Sequence, residues 1–370
     1  MKPIGLYIHV PFCLSKCPYC DFYSLARPTE QQLDAYAARL CTALDEWAVR
    51  LPAATADTLY FGGGTPALLG GKRLAAVVGR ARELFGLGEA EITLEANPAD
   101  DLRETFAAFA AAGGNRLSLG MQSACADELA VLGRRHTTAD VERSVADARA
   151  VGIDNISLDV MLGISGQTEA SARHSARVAA ALGAAHISAY LLKVEPNTSY
   201  GRHTPPLPDE DATADLYLAA MDELDSLGYR QYEISNTALI GRESRHNLKY
   251  WQSEPYLGIG PAASSCLGGR RFAYPRDLAG FMCGAEPIDE PAGSIAVGSQ
   301  TEYALLRLRL TEGISAAEYA ARFGEELPSA WCKRAAALPP TLVTQDAAGI
   351  RLTREGFLVS NTLITHILNE

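Results

Sequence analysis

Short β-rich runs alternate with helical stretches through the first two-thirds of the chain, and this alternation restricts the fold more than any other feature. The runs lie at 4–9, 58–61, 91–95, 116–119, 155–159 and 186–191, with 230–235 expected as a seventh. Between them, Leu33, Ala37, Leu40, Leu44 and Trp47 form one apolar stripe at helical spacing, and Leu216, Ala220, Leu224 and Leu227 form another. A repeated βα unit requires parallel strands joined by right-handed crossovers. The expectation is an α/β protein, either a doubly wound sheet or a (β/α) barrel, complete or partial. Glu95, Asn97, Gln122, Asp159 and Glu195 fall at or just beyond the C-terminal ends of these runs, where both architectures carry their sites.

After about residue 300 the pattern changes to short helices near 302–310 and 316–323, a hairpin through Leu342-Val343 and Ile350-Arg351-Leu352, and a final helix from Arg354. That order suggests a small helical, winged-helix-like C-terminal domain. No apolar run reaches the roughly 18–20 residues of a membrane span, and the N-terminus is too short for a signal peptide, so the expected location is cytoplasmic. A net charge of −11 offers no footprint for nucleic acid.

Three of the eight cysteines fall within eight residues, as Cys13-x3-Cys17-x2-Cys20, directly after the first strand. The other five are scattered and read as small buried hydrophobes. A structural zinc site wants four ligands, so a zinc loop here needs a distant fourth. A 4Fe–4S cluster held by three cysteines keeps one iron open. S-adenosylmethionine (SAM) fills that position through its amino and carboxylate groups, and an electron from the cluster then breaks a carbon–sulfur bond to release a 5′-deoxyadenosyl radical.

Tyr7-Ile8-His9-Val10-Pro11-Phe12-Cys13, running into Cys17-Pro18-Tyr19-Cys20-Asp21-Phe22, resembles the opening of the HemN/HemW branch of radical-SAM proteins. The likeness continues through Gly62-Gly63-Gly64-Thr65-Pro66, Glu95-Ala96-Asn97-Pro98, Arg116–Ser123 and Leu132-Gly133-Arg134-Arg135-His136. It extends to Tyr232-Glu233-Ile234-Ser235-Asn236 and His246-Asn247-Leu248-Lys249-Tyr250-Trp251. The resemblance implies a partial TIM-like barrel over 1–240, a connecting region over 241–300 and a HemN-type C-terminal domain over 301–370. It also implies a cluster on Cys13, Cys17 and Cys20, and SAM contacts at Tyr7, Tyr19, Gly63, Gly64, Thr65, Glu95, Gln122, Arg134 and Asp159. Gly63 and Gly64 would let backbone approach the methionine amino group, and the Arg134 fork suits the SAM carboxylate, with Arg135 as its rival in register.

Two departures select the branch. HemN-type coproporphyrinogen III dehydrogenases carry a further cysteine where this chain has Phe22, and a longer segment before the cluster than the 12 residues here. The chain therefore resembles the HemW-like heme chaperones, whose implied partners are heme and heme-receiving respiratory proteins, some at the membrane. In that branch the His-Asn-x-x-Tyr-Trp element is a heme motif. It makes His246 the implied iron contact and Lys249, Arg242 and Arg245 candidate partners for heme propionates. The competing reading is a coproporphyrinogen III dehydrogenase. The family's usual Pro and His are replaced by Ser165 and Ser264, and no catalytic side chain is singled out.

Overall fold

A computed structural model describes residues 2–291 and 293–368. Six strands, β1 (Ile4–Val10), β2 (Ala56–Gly63), β3 (Glu91–Ala96), β4 (Arg116–Gln122), β5 (Asn155–Leu162) and β6 (His186–Leu191), pair in sequence order and all in parallel. Helices follow each of the first five. The helix Glu30–Arg50 starts at a capping box in which Thr29 and Gln32 satisfy each other's backbone N–H groups, and its stripe of Leu33, Leu40, Leu44 and Trp47 is buried.

The expected seventh strand is corrected. Of 230–235, only Arg230–Gln231 (β7) is a strand, and it pairs antiparallel with Asn236–Ala238 (β8) at the sheet edge, because Tyr232 N–H bonds back to the Asn236 carbonyl and turns the chain. The seventh parallel strand is Tyr256–Ile259 (β9), which lies on the other side of β1. Ser264–Leu267 (β10), Arg270–Ala273 (β11) and Ile288–Asp289 (β12) extend that edge antiparallel. Within 241–300, these four short strands extend the sheet beyond β1. The full order is β12-β11-β10-β9-β1-β2-β3-β4-β5-β6-β8-β7, an open, partial barrel whose two edges carry antiparallel strands.

Strand alternation divides the sheet into two chemistries. On β1, Ile4, Leu6, Ile8 and Val10 face the helices and are fully buried, whereas Tyr7 and His9 have the opposite parity. On β4 the same parity carries Arg116, Ser118, Gly120 and Gln122, so the concave face is polar where many barrels pack branched apolar layers.

The C-terminal part has its own core, including Tyr303, Ile314, Tyr319, Trp331, Ile350, Leu352, Phe357 and Ile364. Helices Gln300–Arg307, Ala316–Phe323 and Ser329–Ala336 precede the hairpin Val343–Asp346/Gly349–Leu352, which pairs with Ile314–Ser315 to complete a winged-helix-like arrangement. The final helical stretch is split into Arg354–Leu358 and Ser360–Leu368.

Candidate functional site

The cysteine loop opens at the C-terminal mouth of the barrel and is tied to the segment after β2. Gly64 N–H donates to the Val10 carbonyl at 2.9 Å and Thr65 N–H to the Phe12 carbonyl at 2.7 Å. A Cβ on Gly64 would lie 2.5 Å from the Phe12 oxygen, so only glycine permits this approach. The hydroxyl of Thr65 donates toward Cys13 Sγ, and Arg134 Nη1 toward Cys17 Sγ, each at 3.6 Å. Burial pushes the Cys13 and Cys20 thiols up, against a hydroxyl donor from Thr65 at the first and a backbone N–H from Phe22 at the second. All three thiols are free and partly accessible, and among the described residues no three His, Cys, Asp or Glu side chains converge as around a single ion. Three thiols on one short loop, two of them facing fixed donors, are a donor set that suits a polynuclear iron–sulfur cluster.

Around the loop the polar strand ends converge. Arg134 Nη2 donates to the Gly120 carbonyl at 2.7 Å and Asn97 Oδ1 at 3.4 Å, whereas Arg135 points away and pairs with Asp100 at 3.4 Å. Gln122 sits at φ 64°, an unusual conformation for a side-chain-bearing residue, and its Oε1 accepts from the Tyr190 hydroxyl at 2.7 Å. Glu95 accepts from the Tyr60 hydroxyl at 2.8 Å and from Gly63 N–H at 3.2 Å; burial lifts its carboxyl to about 7 despite both donors. Asp159 accepts from Ser118 at 3.2 Å and is lifted by burial to about 6.

Tyr7 places its hydroxyl 3.1 Å from His9 Nδ1, and His9 Nε2 donates to the Tyr23 carbonyl at 2.9 Å. Tyr19 lies under the loop against Leu132, Met161 and Ile164. Tyr60, His9, Ser118, Asn97 and Tyr190 join the site without having been marked as binding residues. Inward strand parity is the signal that finds His9, two residues from Tyr7, and Ser118, four from Gln122, whereas Tyr60 enters through its register opposite Tyr7. The turn at Ser165, where the family has proline, is held by Gln167, whose Oε1 accepts from Gly163 N–H at 2.8 Å. Ser264 is exposed at the start of the antiparallel strand β10.

His246 stands apart from this group. It lies on the helix Arg245–Trp251, whose first N–H groups are held by Glu91 at the start of β3, and it packs against Gly5 and Thr58 at the N-terminal end of the barrel. Its Nδ1 is 2.8 Å from Thr58 Oγ1 and its Nε2 is 2.7 Å from the Tyr250 hydroxyl. The residue is 1% exposed, and burial lowers the imidazole to about 3. An iron contact at His246 therefore has no free nitrogen in this conformation. Lys249 is likewise not free for a propionate: its ammonium is buried between Asp57 at 2.8 Å and Glu254 at 3.1 Å. Arg242 and Arg245 are exposed. Tyr250 also lines a cavity of about 270 Å³ with Tyr256, Cys266, Arg271, Leu305 and Leu306.

Residues 7–179 match the radical SAM superfamily and residues 301–359 the HemN C-terminal domain. The chain is 35% identical over 381 residues to a Mycobacterium tuberculosis protein named heme chaperone HemW, covering 99% of this chain and 95% of that one. It is 34% identical to the Escherichia coli heme chaperone HemW, covering 100% and 99%. The E. coli coproporphyrinogen III oxidase HemN superposes with a TM-score of 0.83 at 19% identity, over 99% of this chain and 90% of that one, a likeness of fold.

Proposed function

Because the chain belongs to the HemW family of radical SAM proteins, we propose that it is a heme chaperone, one that binds heme and passes it to respiratory hemoproteins while carrying a 4Fe–4S cluster and SAM. The observation that carries this reading is end-to-end similarity to proteins of that name, with Phe22 in the position of the dehydrogenases' further cysteine. No described helix is long and apolar enough to cross a membrane, and we take the site of action to be the cytoplasm, with some recipients at the membrane surface.

Within this reading, Cys13, Cys17 and Cys20 hold the cluster, which when bound supplies an electron to cleave SAM. Gly63, Gly64, Thr65 and Glu95 receive the SAM amino group, Arg134 its carboxylate, and Gln122 and Asp159 the ribose hydroxyls, with Tyr7 and Tyr19 packing beside the sulfonium and adenine. The orientation of Arg134 into the loop, and of Arg135 out of it, supports the first of the two arginines as the carboxylate fork.

The test is a heme titration of anaerobically reconstituted full-length protein, run beside an assay of coproporphyrinogen III with SAM and reductant. Stoichiometric heme binding without decarboxylation is expected. Turnover to protoporphyrinogen IX by protein that retains no heme overturns the proposal in favour of an oxygen-independent coproporphyrinogen III dehydrogenase.

A further inference from the structure

Tyr60 belongs to none of the motifs, yet its two ends connect the mouth of the barrel to its floor. Its hydroxyl donates to Glu95 Oε1 at 2.8 Å, and Gly63 N–H holds the other carboxylate oxygen, so Glu95 is clamped from two sides. Its ring stacks on the His246 imidazole, with centroids 5.1 Å apart and planes 25° from parallel. Tyr7, Tyr60 and Glu95 converge over Gly62, where a Cβ would stand 2.9, 3.1 and 3.2 Å from them. His246 is itself immobilised by Thr58 and Tyr250, and its helix by Glu91.

We propose that Tyr60 is a positioning residue for SAM, aiming Glu95 at the amino group, and that His246 acts on the same site at one remove by fixing the Tyr60 ring. The proposal rests on the reading of Glu95 as a SAM contact and is independent of heme. It gives the buried histidine of the His-Asn-x-x-Tyr-Trp element a role that its engaged nitrogens permit, and it couples that element to the opposite end of the barrel through one tyrosine.

Glu95 accepts N–H hydrogen bonds from the amino group best as a carboxylate, so SAM binding should strengthen as pH rises through the range in which that carboxyl titrates. The groups facing it are Tyr7 from β1, Tyr60 from β2, Arg116 from β4, Asp159 from β5 and Tyr250 from the Arg245–Trp251 helix. Asp159 titrates nearby, so the readout is the displacement between variants and not the midpoint itself.

The experiment is equilibrium binding of SAM to reconstituted full-length protein between pH 6 and 9 for wild type, Tyr60→Phe, His246→Ala and the double variant. Iron and sulfide content and thermal unfolding are measured on each sample. Each single substitution should weaken SAM about tenfold, as expected for losing or loosening a hydrogen bond to a charged group. The double variant should be no weaker than the weaker single, because both act through one contact. Tyr60→Phe should also move the pH midpoint upward, since the lost hydroxyl favoured the carboxylate. SAM affinity within about twofold of wild type in either cluster-loaded single variant, or losses that add in the double, overturns the proposal. If His246→Ala does not fold, Tyr60→Phe alone decides through its affinity and its pH midpoint. Failure of the SAM reading at Glu95 is distinguishable, because Glu95→Gln, titrated beside the others, would then leave SAM affinity within about twofold of wild type.

Discussion

Arg134 Nη1 lies 3.6 Å from the sulfur of Cys17, 117 residues earlier in the chain, while its Nη2 donates to the Gly120 carbonyl at 2.7 Å. One guanidinium thus spans the cluster loop and the end of β4. Arg134→Lys keeps the charge but loses the fork. SAM affinity should fall about tenfold or more, with lower iron content after reconstitution. Arg135→Lys, altering a partly exposed residue paired with Asp100, should leave both within about twofold. Equal losses in the two variants would exclude the assignment.

Gly64→Ala tests the close approach of two backbones. With a Cβ 2.5 Å from the Phe12 carbonyl, the hydrogen bonds tying the cysteine loop to the segment after β2 must lengthen. A destabilisation of about 1–3 kcal/mol and incomplete cluster loading are expected from denaturant unfolding and iron analysis. Gly79→Ala meets no atom within 4 Å on its helix and serves as the control, neutral or slightly stabilising.

His186 predicts an acid-dependent loss of stability. The residue is 1% exposed, its ring nitrogens lie 2.8 Å from Ser157 Oγ and 2.9 Å from the Tyr232 hydroxyl, and burial holds it well below the usual imidazole range. The unfolded chain protonates this histidine below about pH 6.5 while the folded one does not, so its contribution is present above that pH and lost as pH falls. Relative to His186→Gln, wild type should lose about 1.4 kcal/mol per pH unit below 6.5. Denaturant titrations at pH 7 and pH 5 measure it; parallel stabilities at both pH values would show that the group does not stay neutral on folding.

Lys249→Met leaves Asp57 and Glu254 facing each other without their shared cation, and removes the donor to the Pro3 carbonyl. Both carboxylates stay partly solvated and Glu254 keeps Lys2, so the loss should cost about 1–3 kcal/mol. If Lys249 served mainly to bind propionate, the variant would instead unfold like wild type and lose only heme affinity.

The cluster loop, the glycine run after the second strand and the order of the first six βα units were all visible in the residues, because each depends on neighbours close in the chain. Spacing alone puts three thiols on one loop, and period-two alternation alone separates Ile4, Leu6, Ile8 and Val10 from Tyr7 and His9. The seventh parallel strand was misplaced because strand identity there depends on pairing: 230–235 has the composition of a strand, but the open edge of β1 is filled by Tyr256–Ile259.

The same division runs through the site. By itself, the sequence determined that the cysteine triad follows the first strand and that Glu95 and Gln122 fall at the ends of the third and fourth, whereas Asp159, expected to end the fifth, lies inside it because β5 runs on to Leu162. Only the tertiary structure turned Arg134 toward the cysteine loop and Arg135 away from it, brought Tyr60 against Glu95, buried Lys249 against carboxylates and turned His246 inward with both nitrogens engaged. Those outcomes depend on partners supplied by other strands. A side chain's hydrogen bonds and burial belong to the surroundings that long-range packing assembles, and adjacent residues in the chain carry no record of them.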